Sequence, residues 1–175
     1  MAITIAGTGA SIPANRVTNE QLSERVETTD EWIRSHTGIG ARHFAADGSV
    51  TSDLAVEAAR AALSKAGKAP EDVDLIVVAT ATPDFFGFPS TACIVQDKLG
   101  AVNAAAMDVN AGCTGFIYGL DVAGSMLASP SRKIALVIGA ETLSRISDWS
   151  DRATCVLFGD GAAAFVLEKT DAADC

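Results

Sequence analysis

The chain has 175 residues, enough for one sizeable hydrophobic core, and 49% of them are hydrophobic while 20% are charged. This composition is typical of a globular protein with no disordered half. A formal net charge of −9 argues against nucleic acid as a partner, since no basic stripe is available to neutralise phosphates. No apolar run is long enough to span a bilayer, so no membrane segment is expected.

Cysteine and histidine usage argues against a metal centre and against a disulfide framework. The four cysteines lie far apart without a C-x-x-C pair, and only two histidines accompany them. A zinc site is therefore not expected, and a chain of this length and composition does not depend on disulfides. The N-terminus starts directly with a strand pattern, without the basic and apolar regions of a signal peptide. We expect a reducing, cytoplasmic setting.

Strand and helix signals alternate along the chain. In order, they predict a strand over 3–6 with a turn over 7–13, helices over 28–36 and 51–66, a buried strand over 74–80, a helix over 90–99, a strand over 104–109, a helix over 113–128, a buried strand over 133–140 and a last strand ending near 168. Capping residues support these limits, since Ser90 is suited to begin a helix and Gly67 and Gly100 to end one.

The alternation of strands and helices predicts the fold class. It favours an α/β fold with a mostly parallel mixed sheet and helices on both faces. Residues 1–169 are expected to form one domain. Residues 170–175 are predicted to be an exposed linker or a cut end.

Cys113 lies where a strand pattern ends and a helix pattern begins. A thiol at such a junction meets the free N–H groups and the positive end of the helix dipole. Both favour the thiolate, which is the nucleophilic form of cysteine. Small neighbours such as Gly112 and Thr114 leave room for a substrate carbonyl. The alternative is a buried, inert cysteine that packs as a small hydrophobe, and the local pattern alone leaves both interpretations open.

Two glycine-containing motifs favour structural interpretations. Gly7-Thr-Gly9 resembles the start of a dinucleotide fingerprint, but Ile12 stands at the third glycine position and Pro13 breaks the helix that should receive the pyrophosphate. The segment 159–161, Gly-Asp-Gly, is predicted to be a tight turn in which Asp160 hydrogen-bonds its own backbone. Neither motif predicts a nucleotide or metal site.

Aromatic and basic residues provide the candidate ligand contacts. Trp32 lies on an otherwise polar helix, so it is either a core anchor or a stacking platform for a flat ring such as adenine. Arg152 is either a surface charge or a guanidinium that stacks on a base or binds phosphate. The apolar loop 85–88 is typical of a subunit interface or of the wall of an apolar pocket. His36 and His43 are the candidates for a general base, and neither lies in a catalytic signature.

A series of segments runs nearly from end to end of the chain. They are Gly7-Thr-Gly-x-x-x-Pro13, Thr28-x-Asp-Glu-Trp-Ile33, Thr37-Gly-Ile39, Leu75-Ile-Val-Val-Ala-Thr80, Phe88-Pro-Ser-x-Ala-Cys93, Asp108 through Gly115, and Asp151-Arg-Ala-Thr154 with Phe158-Gly-Asp-Gly-Ala162. In this order and at these intervals, the series resembles the N-terminal half of the β-ketoacyl-acyl-carrier-protein synthase III family. These are condensing enzymes of the thiolase fold, so residues 1–169 are expected to form a thiolase-like half-domain.

The resemblance implies an acyltransferase that starts fatty acid synthesis. Cys113 would take a short acyl group from acetyl-CoA or a similar acyl-CoA, and its backbone N–H would contribute to an oxyanion hole. Malonyl-acyl-carrier protein would then lose carbon dioxide, and its carbanion would attack the acyl-cysteine. The coenzyme A thioester is a substrate in this scheme, and no tightly bound cofactor is implied.

The resemblance also implies a coenzyme A site. Trp32 and Arg152 would sandwich the adenine, and Thr28 would contact the same ring. His36 stands near the phosphates of coenzyme A, where the family commonly has Arg. A neutral imidazole at that position attracts phosphate less strongly near pH 7.

Three apolar residues are implied to shape the acyl path. Phe88 would reach across a homodimer interface into the acyl pocket of the second copy. Leu143 and Leu157 would line the acyl and pantetheine path.

The catalytic His and Asn of the family lie in a second half that this sequence does not contain. The resemblance therefore implies a C-terminal half of the same enzyme as a partner, without which this chain transfers an acyl group poorly and does not condense. Two alternatives stay open. One is a related synthase that primes another acyl product, of polyketide or quinolone type, and the other is a non-catalytic half-subunit that completes a partner.

Overall fold

The computed structural model describes residues 2–170, which form a five-stranded sheet, a two-stranded sheet and the helices around them. The strands are β1 (Ala2–Ser11), β2 (Asn15–Thr18), β3 (Ala41–Phe44), β4 (Leu75–Ala79), β5 (Ala105–Val109), β6 (Ile134–Thr142) and β7 (Asp160–Thr170). The α-helices are α1 (Asn19–Ser23), α2 (Asp30–Thr37), α3 (Thr51–Ala66), α4 (Thr91–Leu99), α5 (Gly115–Leu127) and α6 (Arg152–Cys155).

The large sheet has the strand order β1-β7-β6-β4-β5. β4 pairs in parallel with both β5 and β6, whereas β7 pairs antiparallel with both β6 and β1. Among the strands of residues 2–170, β7 therefore runs against the other four strands of this sheet. The predicted mostly parallel mixed sheet is confirmed.

Helices cover both faces of the large sheet, as predicted. α3 and α4 pack on one face together with Ile76 and Val78, and α5 packs on the other face with Leu75 and Val77. These four residues of β4 have no exposed surface, because the strand lies in the middle of the sheet between two helical layers. Burial on both faces explains why this segment is continuously apolar instead of alternating.

Local capping chemistry sets the ends of the long helices. Ser90 accepts a hydrogen bond from the Cys93 N–H at the start of α4, and Gly67 and Gly100 take left-handed conformations after α3 and α4, with φ of 65° and 78°. The predicted helices over 51–66 and 90–99 are therefore confirmed. α5 begins at Gly115, after a 3₁₀ turn over Gly112–Thr114, so the predicted start at 113 is two residues early.

The first strand is longer than the sequence suggested. A turn over 7–13 was expected, but β1 continues to Ser11. A Cβ at Gly7 would lie 2.4 Å from the carbonyl oxygen of Ala62, and one at Gly9 would lie 2.2 Å from that of Ala58. Both glycines therefore serve the close approach of β1 to the backbone of α3.

A small layer over residues 15–44 was predicted only in part: α2 confirms the predicted helix over 28–36, whereas β2, β3 and α1 were not expected. β2 and β3 pair antiparallel, α1 packs beside β2, and α2 packs against α1. Leu22, Val26 and Ile33 form an apolar cluster there with Cys155 and Val156 from the region of α6. The cluster anchors α2 to a segment far away in the sequence.

The end of the described chain differs from the predicted domain limit. Thr170 was assigned to an exposed linker, but it is the last residue of β7 and pairs with Ala2 of β1. Residues 171–175 lie outside the described residues. Among residues 2–170, no helix is both long and apolar enough to cross a membrane.

Replacing Gly9 with Ala is expected to lower the free energy of unfolding by about 3 kcal/mol or more, because its Cβ would overlap the backbone of α3. Urea denaturation followed by circular dichroism measures the change. Gly124→Ala is the matched control, since a Cβ in this part of α5 meets only the Ile3 side chain at 3.6 Å. The control is expected to gain about 0.5–1 kcal/mol from helix propensity, and equal effects of the two substitutions would contradict the packing argument.

Candidate active site around Cys113

Cys113 lies in the 3₁₀ turn that joins β5 to α5. Gly112 before it takes a left-handed conformation with φ of 53°, which an L side chain rarely adopts. The chain thereby turns sharply from the strand into the helix and leaves Cys113 exposed at the N-terminal end of α5. Cys113 is therefore not buried, as the alternative interpretation required.

A largely apolar cavity of about 320 Å³ opens beside Cys113. Its lining residues are Ala79, Ala81, Gly112, Cys113, Phe116, Gly139, Ala140, Glu141, Leu143, Phe158 and Gly161. Most of them come from the carboxyl ends of β4 and β6 and the segments that follow, where the two parallel strands lie side by side. Small residues at the strand ends leave the space open, since a Cβ at Gly139 would lie 3.3 Å from the ring of Phe116.

The two predicted pocket leucines take different places. Leu143 lines the cavity, whereas Leu157 is exposed and its neighbour Phe158 lines the cavity instead. Phe116 and Glu141 also line it and were not singled out from the sequence. Alternation along β6 and the helical position of Phe116 were the available signals, but neither tells which face opens onto a cavity.

Asp160 has a different role from the predicted one. A tight turn was expected, but Asp160 is the first residue of β7 and is buried. Its carboxylate accepts hydrogen bonds from the N–H of Ala45 at 2.7 Å, and from the N–H and hydroxyl of Ser144 at 2.8 and 2.6 Å. It therefore fixes the 3₁₀ turn over Leu143–Arg145, which carries one wall residue of the cavity.

Asp108, on the other side of β4, also holds a neighbouring segment through hydrogen bonds to its carboxylate, a role that was not predicted from the sequence. Its carboxylate accepts hydrogen bonds from the N–H groups of Thr91 and Ala92 at 2.8 and 2.7 Å. These are free N–H groups of the first turn of α4, which the carboxylate satisfies. Asp108 thus ties α4 to the end of the strand that leads to Cys113.

The four residues assigned to a coenzyme A site come together in the structure. The rings of Trp32 and His36 are stacked with centroids 4.3 Å apart, and the Arg152 guanidinium carbon lies 4.7 Å from the centre of the Trp32 ring. Arg152 also donates to the carbonyl oxygen of Glu27 at 3.4 Å. The neighbouring Thr28 hydroxyl is buried and has no hydrogen-bond partner among the described residues.

The position of Trp32 depends on the start of α2. Asn19 is fully buried and donates to Asp30 at 2.7 Å and to the carbonyl oxygen of Ile39 at 2.8 Å. Hydrogen bonds from Asn19 and Arg34 hold the pKa of the Asp30 carboxyl below its ordinary value. The helix that presents Trp32 is therefore clamped at both ends by one buried amide.

The remaining predicted site residues lie outside the cavity. Phe88 is 91% exposed in the loop between β4 and α4, next to Phe86, which is 99% exposed. The His43 ring nitrogen Nδ1 lies 2.6 Å from the carbonyl oxygen of Pro13. Neither His36 nor His43 lines the cavity, so the described chain brings no imidazole to Cys113. No group of three metal-ligating side chains occurs among residues 2–170.

Comparison with known proteins finds a similarity to synthase III enzymes. A family model described as 3-Oxoacyl-[acyl-carrier-protein (ACP)] synthase III matches residues 107–175. Over 167 residues the chain is 59% identical to the β-ketoacyl-[acyl-carrier-protein] synthase III of Clostridium perfringens, covering 95% of this chain and 51% of that protein. The enzyme of the same name from Neisseria meningitidis serogroup A is 59% identical over 168 residues, 52% of its length. The chain is thus similar to about half of each of these synthase III enzymes.

Solved structures show the same similarity. The 3-oxoacyl-[acyl-carrier-protein] synthase III of Aquifex aeolicus VF5 superposes with a TM-score of 0.93 at 48% identity, covering 97% of this chain and 55% of that one. The priming β-ketosynthase of the R1128 polyketide pathway superposes with a TM-score of 0.92 at 34% identity, covering 97% of this chain and 50% of that one. The resemblance found in the sequence is confirmed, as is the thiolase-like fold. The chain spans about half the length of the curated relatives it matches.

Iodoacetamide near neutral pH is expected to label Cys113 several-fold faster than Cys93. Both thiols are exposed near a helix N-terminus, but Cys113 lies beside an open cavity, whereas the first N–H groups of the helix that carries Cys93 already donate to Asp108 and Ser90. Cys155 should react slowest, since burial, and to a lesser degree Asp151, raises the pKa of its thiol. Peptide mass spectrometry of a Cys175→Ser background measures the three rates. Labelling of Cys113 no faster than that of Cys93 or Cys155 would favour a non-catalytic half-subunit.

Proposed function

We propose that this chain is the acyl-accepting half of a condensing acyltransferase that starts fatty acid synthesis. Cys113 takes a short acyl group from acyl-CoA, and the acyl group is then condensed with malonyl-acyl-carrier protein to a β-ketoacyl product. The observation that carries the proposal is the exposed Cys113 thiol at the N-terminus of α5, facing a largely apolar cavity of about 320 Å³.

The first reaction is an acyl exchange between two sulfurs. The Cys113 thiolate attacks the thioester carbonyl and forms a tetrahedral intermediate, which collapses as the coenzyme A thiolate leaves. The positive end of α5 and the Cys113 N–H stabilise the negative oxygen of this intermediate. The acyl chain then lies in the cavity between Phe116 and Leu143, and no tightly bound cofactor takes part.

Coenzyme A is held by the cluster of Thr28, Trp32, His36 and Arg152. A ring sandwiched between Trp32 and Arg152 needs a separation of about 7 Å, two van der Waals layers, whereas the guanidinium now lies 4.7 Å from the Trp32 ring. Binding of the adenine therefore requires Arg152 to swing away from the indole. The unpartnered Thr28 hydroxyl supports a polar ligand atom at this place.

The partner that completes the enzyme is its C-terminal half, which supplies the catalytic His and Asn for decarboxylation and condensation. The face of the sheet that carries α5 supports this assignment. Ile117 and Tyr118 on α5 are 62% and 54% exposed, and Ile5 of β1, opposite Leu167 on the same face, is 55% exposed. These apolar side chains are expected to be covered by the second half.

A second copy of the enzyme is the other proposed partner. The exposed loop with Phe85, Phe86 and Phe88 is long and apolar, and Phe88 would shape the acyl pocket of the second copy. Because the relatives named β-ketoacyl-[acyl-carrier-protein] synthase III are 59% identical and the polyketide priming enzyme 34%, we favour the fatty acid reaction over the polyketide one. We place this reaction in the cytoplasm. Analysis of the products formed from acyl-CoA substrates of different length distinguishes the fatty acid reaction from the polyketide priming reaction.

Radiolabelled acetyl-CoA, incubated with this chain and its complementary half, is expected to leave an acid-stable label on Cys113. Cys113→Ser should abolish the label, while Cys93→Ser should retain it. Peptide mapping locates the acyl group. No label on Cys113 would refute the condensing-enzyme function, and β-ketoacyl product from this chain alone would contradict the requirement for the second half.

Trp32→Ala is expected to weaken the binding of coenzyme A by about 1–3 kcal/mol, which is the range for loss of one stacked base. Isothermal titration calorimetry with coenzyme A measures the dissociation constant. Trp149→Phe is the control, since Trp149 packs edge-on against Phe44 outside the stack of Trp32, His36 and Arg152. An unchanged dissociation constant in Trp32→Ala would remove Trp32 from the site.

A further inference from the structure

One carboxylate lines the cavity beside Cys113 and has no part in the acyl transfer described above. It belongs to Glu141, near the end of β6. Its oxygens accept hydrogen bonds from the Ala81 N–H at 2.8 Å, from the Thr82 hydroxyl, and from the Thr80 hydroxyl at 3.4 Å. Three consecutive residues after β4 therefore donate to a single side chain.

The direction of these hydrogen bonds follows from counting hydrogens. The Thr82 hydroxyl accepts from the Thr142 N–H at 2.9 Å, and the Thr80 hydroxyl accepts from the Thr82 N–H at 3.0 Å. Each hydroxyl has one hydrogen to donate, and an ionised carboxylate only accepts. Both hydroxyl hydrogens thus point to Glu141, which is the common acceptor of the segment 80–82.

A further threonine joins the network from α3. The Thr51 hydroxyl donates to the Thr82 carbonyl oxygen at 2.6 Å and lies 2.8 Å from the Thr142 hydroxyl. Because the Thr51 hydroxyl hydrogen already points to the Thr82 carbonyl oxygen, the Thr142 hydroxyl is the donor in the second contact. Thr51, Thr80, Thr82 and Thr142 are each at least 93% buried, so bulk water does not reach these side chains.

The segment that Glu141 holds forms a wall between two cavities. Ala81 lines the cavity of Cys113 and also a second cavity of about 150 Å³. The second cavity is lined in part by Pro83, Phe86 and Ile146. The position of Ala81 therefore decides how far the space beside Cys113 extends.

We propose that Glu141 is a positioning residue that holds Ala81 in the cavity wall and thereby sets the length of acyl chain that fits beside Cys113. The inference rests on the proposed function in one respect, that an acyl group occupies the cavity. Loss of the carboxylate leaves two buried hydroxyls and the Ala81 N–H without their common acceptor. The segment 80–82 then shifts, and the cavity loses its defined depth.

Alkylation of Cys113 by N-methyl and N-hexyl iodoacetamide tests the proposal without requiring enzyme activity. The ratio of the hexyl to the methyl rate, divided by the same ratio for glutathione, reports how well the cavity binds a six-carbon chain. Wild type is expected to favour the hexyl reagent. Glu141→Ala should reduce this preference about tenfold. Losing the contacts of one methylene group of the chain with an apolar pocket changes a rate ratio by about that factor.

The controls separate the position of the wall from general stability. Glu141→Gln retains the acceptor for the Ala81 N–H, and its NH2 group donates to a threonine hydroxyl that has a lone pair left to accept. Ala81 is therefore still held, and the variant should keep the wild-type ratio. Asp74→Ala removes a comparable tether at the opposite end of β4 and β6, where Asp74 accepts from the N–H groups of Lys133 and Ile134 at 2.7 and 3.0 Å. It should lower the melting temperature without altering the ratio.

The outcomes are distinct. If Glu141→Ala does not fold, Glu141→Asp replaces it, because its shorter side chain does not reach both Ala81 and Thr82 and should also lower the ratio. An unchanged ratio in the folded Ala or Asp variant, or an equal loss in Asp74→Ala, would overturn the proposal. A changed ratio together with no acyl label from acetyl-CoA would retain the role of Glu141 and reject the proposed function.

Discussion

The parallel register of β4, β5 and β6 is the constraint on which the site depends. Ala79 at the end of β4 lies opposite Val109 at the end of β5 and Gly139 of β6, so β4 and β5 end together at one edge of the sheet while β6 continues beside β7 to Thr142. The chain must leave each strand at this edge, and Cys113 follows β5 there as Ala81 follows β4. Since β4 and β6 are buried on both faces, a shift in their register would displace the core as well as the cavity.

Carboxylates organise the loops around this edge. Asp108, Glu141 and Asp160 each accept hydrogen bonds from backbone N–H groups of a different segment. Such charge-assisted bonds are stronger than those between neutral groups, and they hold the start of α4 as well as two connecting segments in place. Part of the acidic character of the chain thus serves the geometry of the site.

The features that could be predicted from the sequence are those that local chemistry decides. Ser90, Gly67 and Gly100 act on residues within one turn of themselves, so the limits of α3 and α4 could be placed to the residue. Gly7 and Gly9 depend on α3, which follows later in the chain, and their segment was therefore mistaken for a turn. The small sheet of β2 and β3 was missed because each strand has only four residues.

The candidate site likewise contains residues that local sequence patterns predict and residues that they do not. Cys113 stood out because a strand and a helix pattern meet at it. The meeting of Trp32 with Arg152 joins two distant segments through the apolar cluster around Ile33 and Cys155, and only a resemblance to a known family placed them together. Glu141 could not be singled out from the sequence, since its donors lie in the segment 80–82, which follows another strand.

The antiparallel pairing of β1 with β7 has a consequence for protein engineering. Because Ala2 lies opposite Thr170, the two ends of the described chain are neighbours at one edge of the sheet. A short glycine-rich linker can join them, and circular permutants with new ends in a surface loop are then accessible. A polypeptide fused at either position enters beside the same strand pair, at the end of the sheet opposite the edge strand β5.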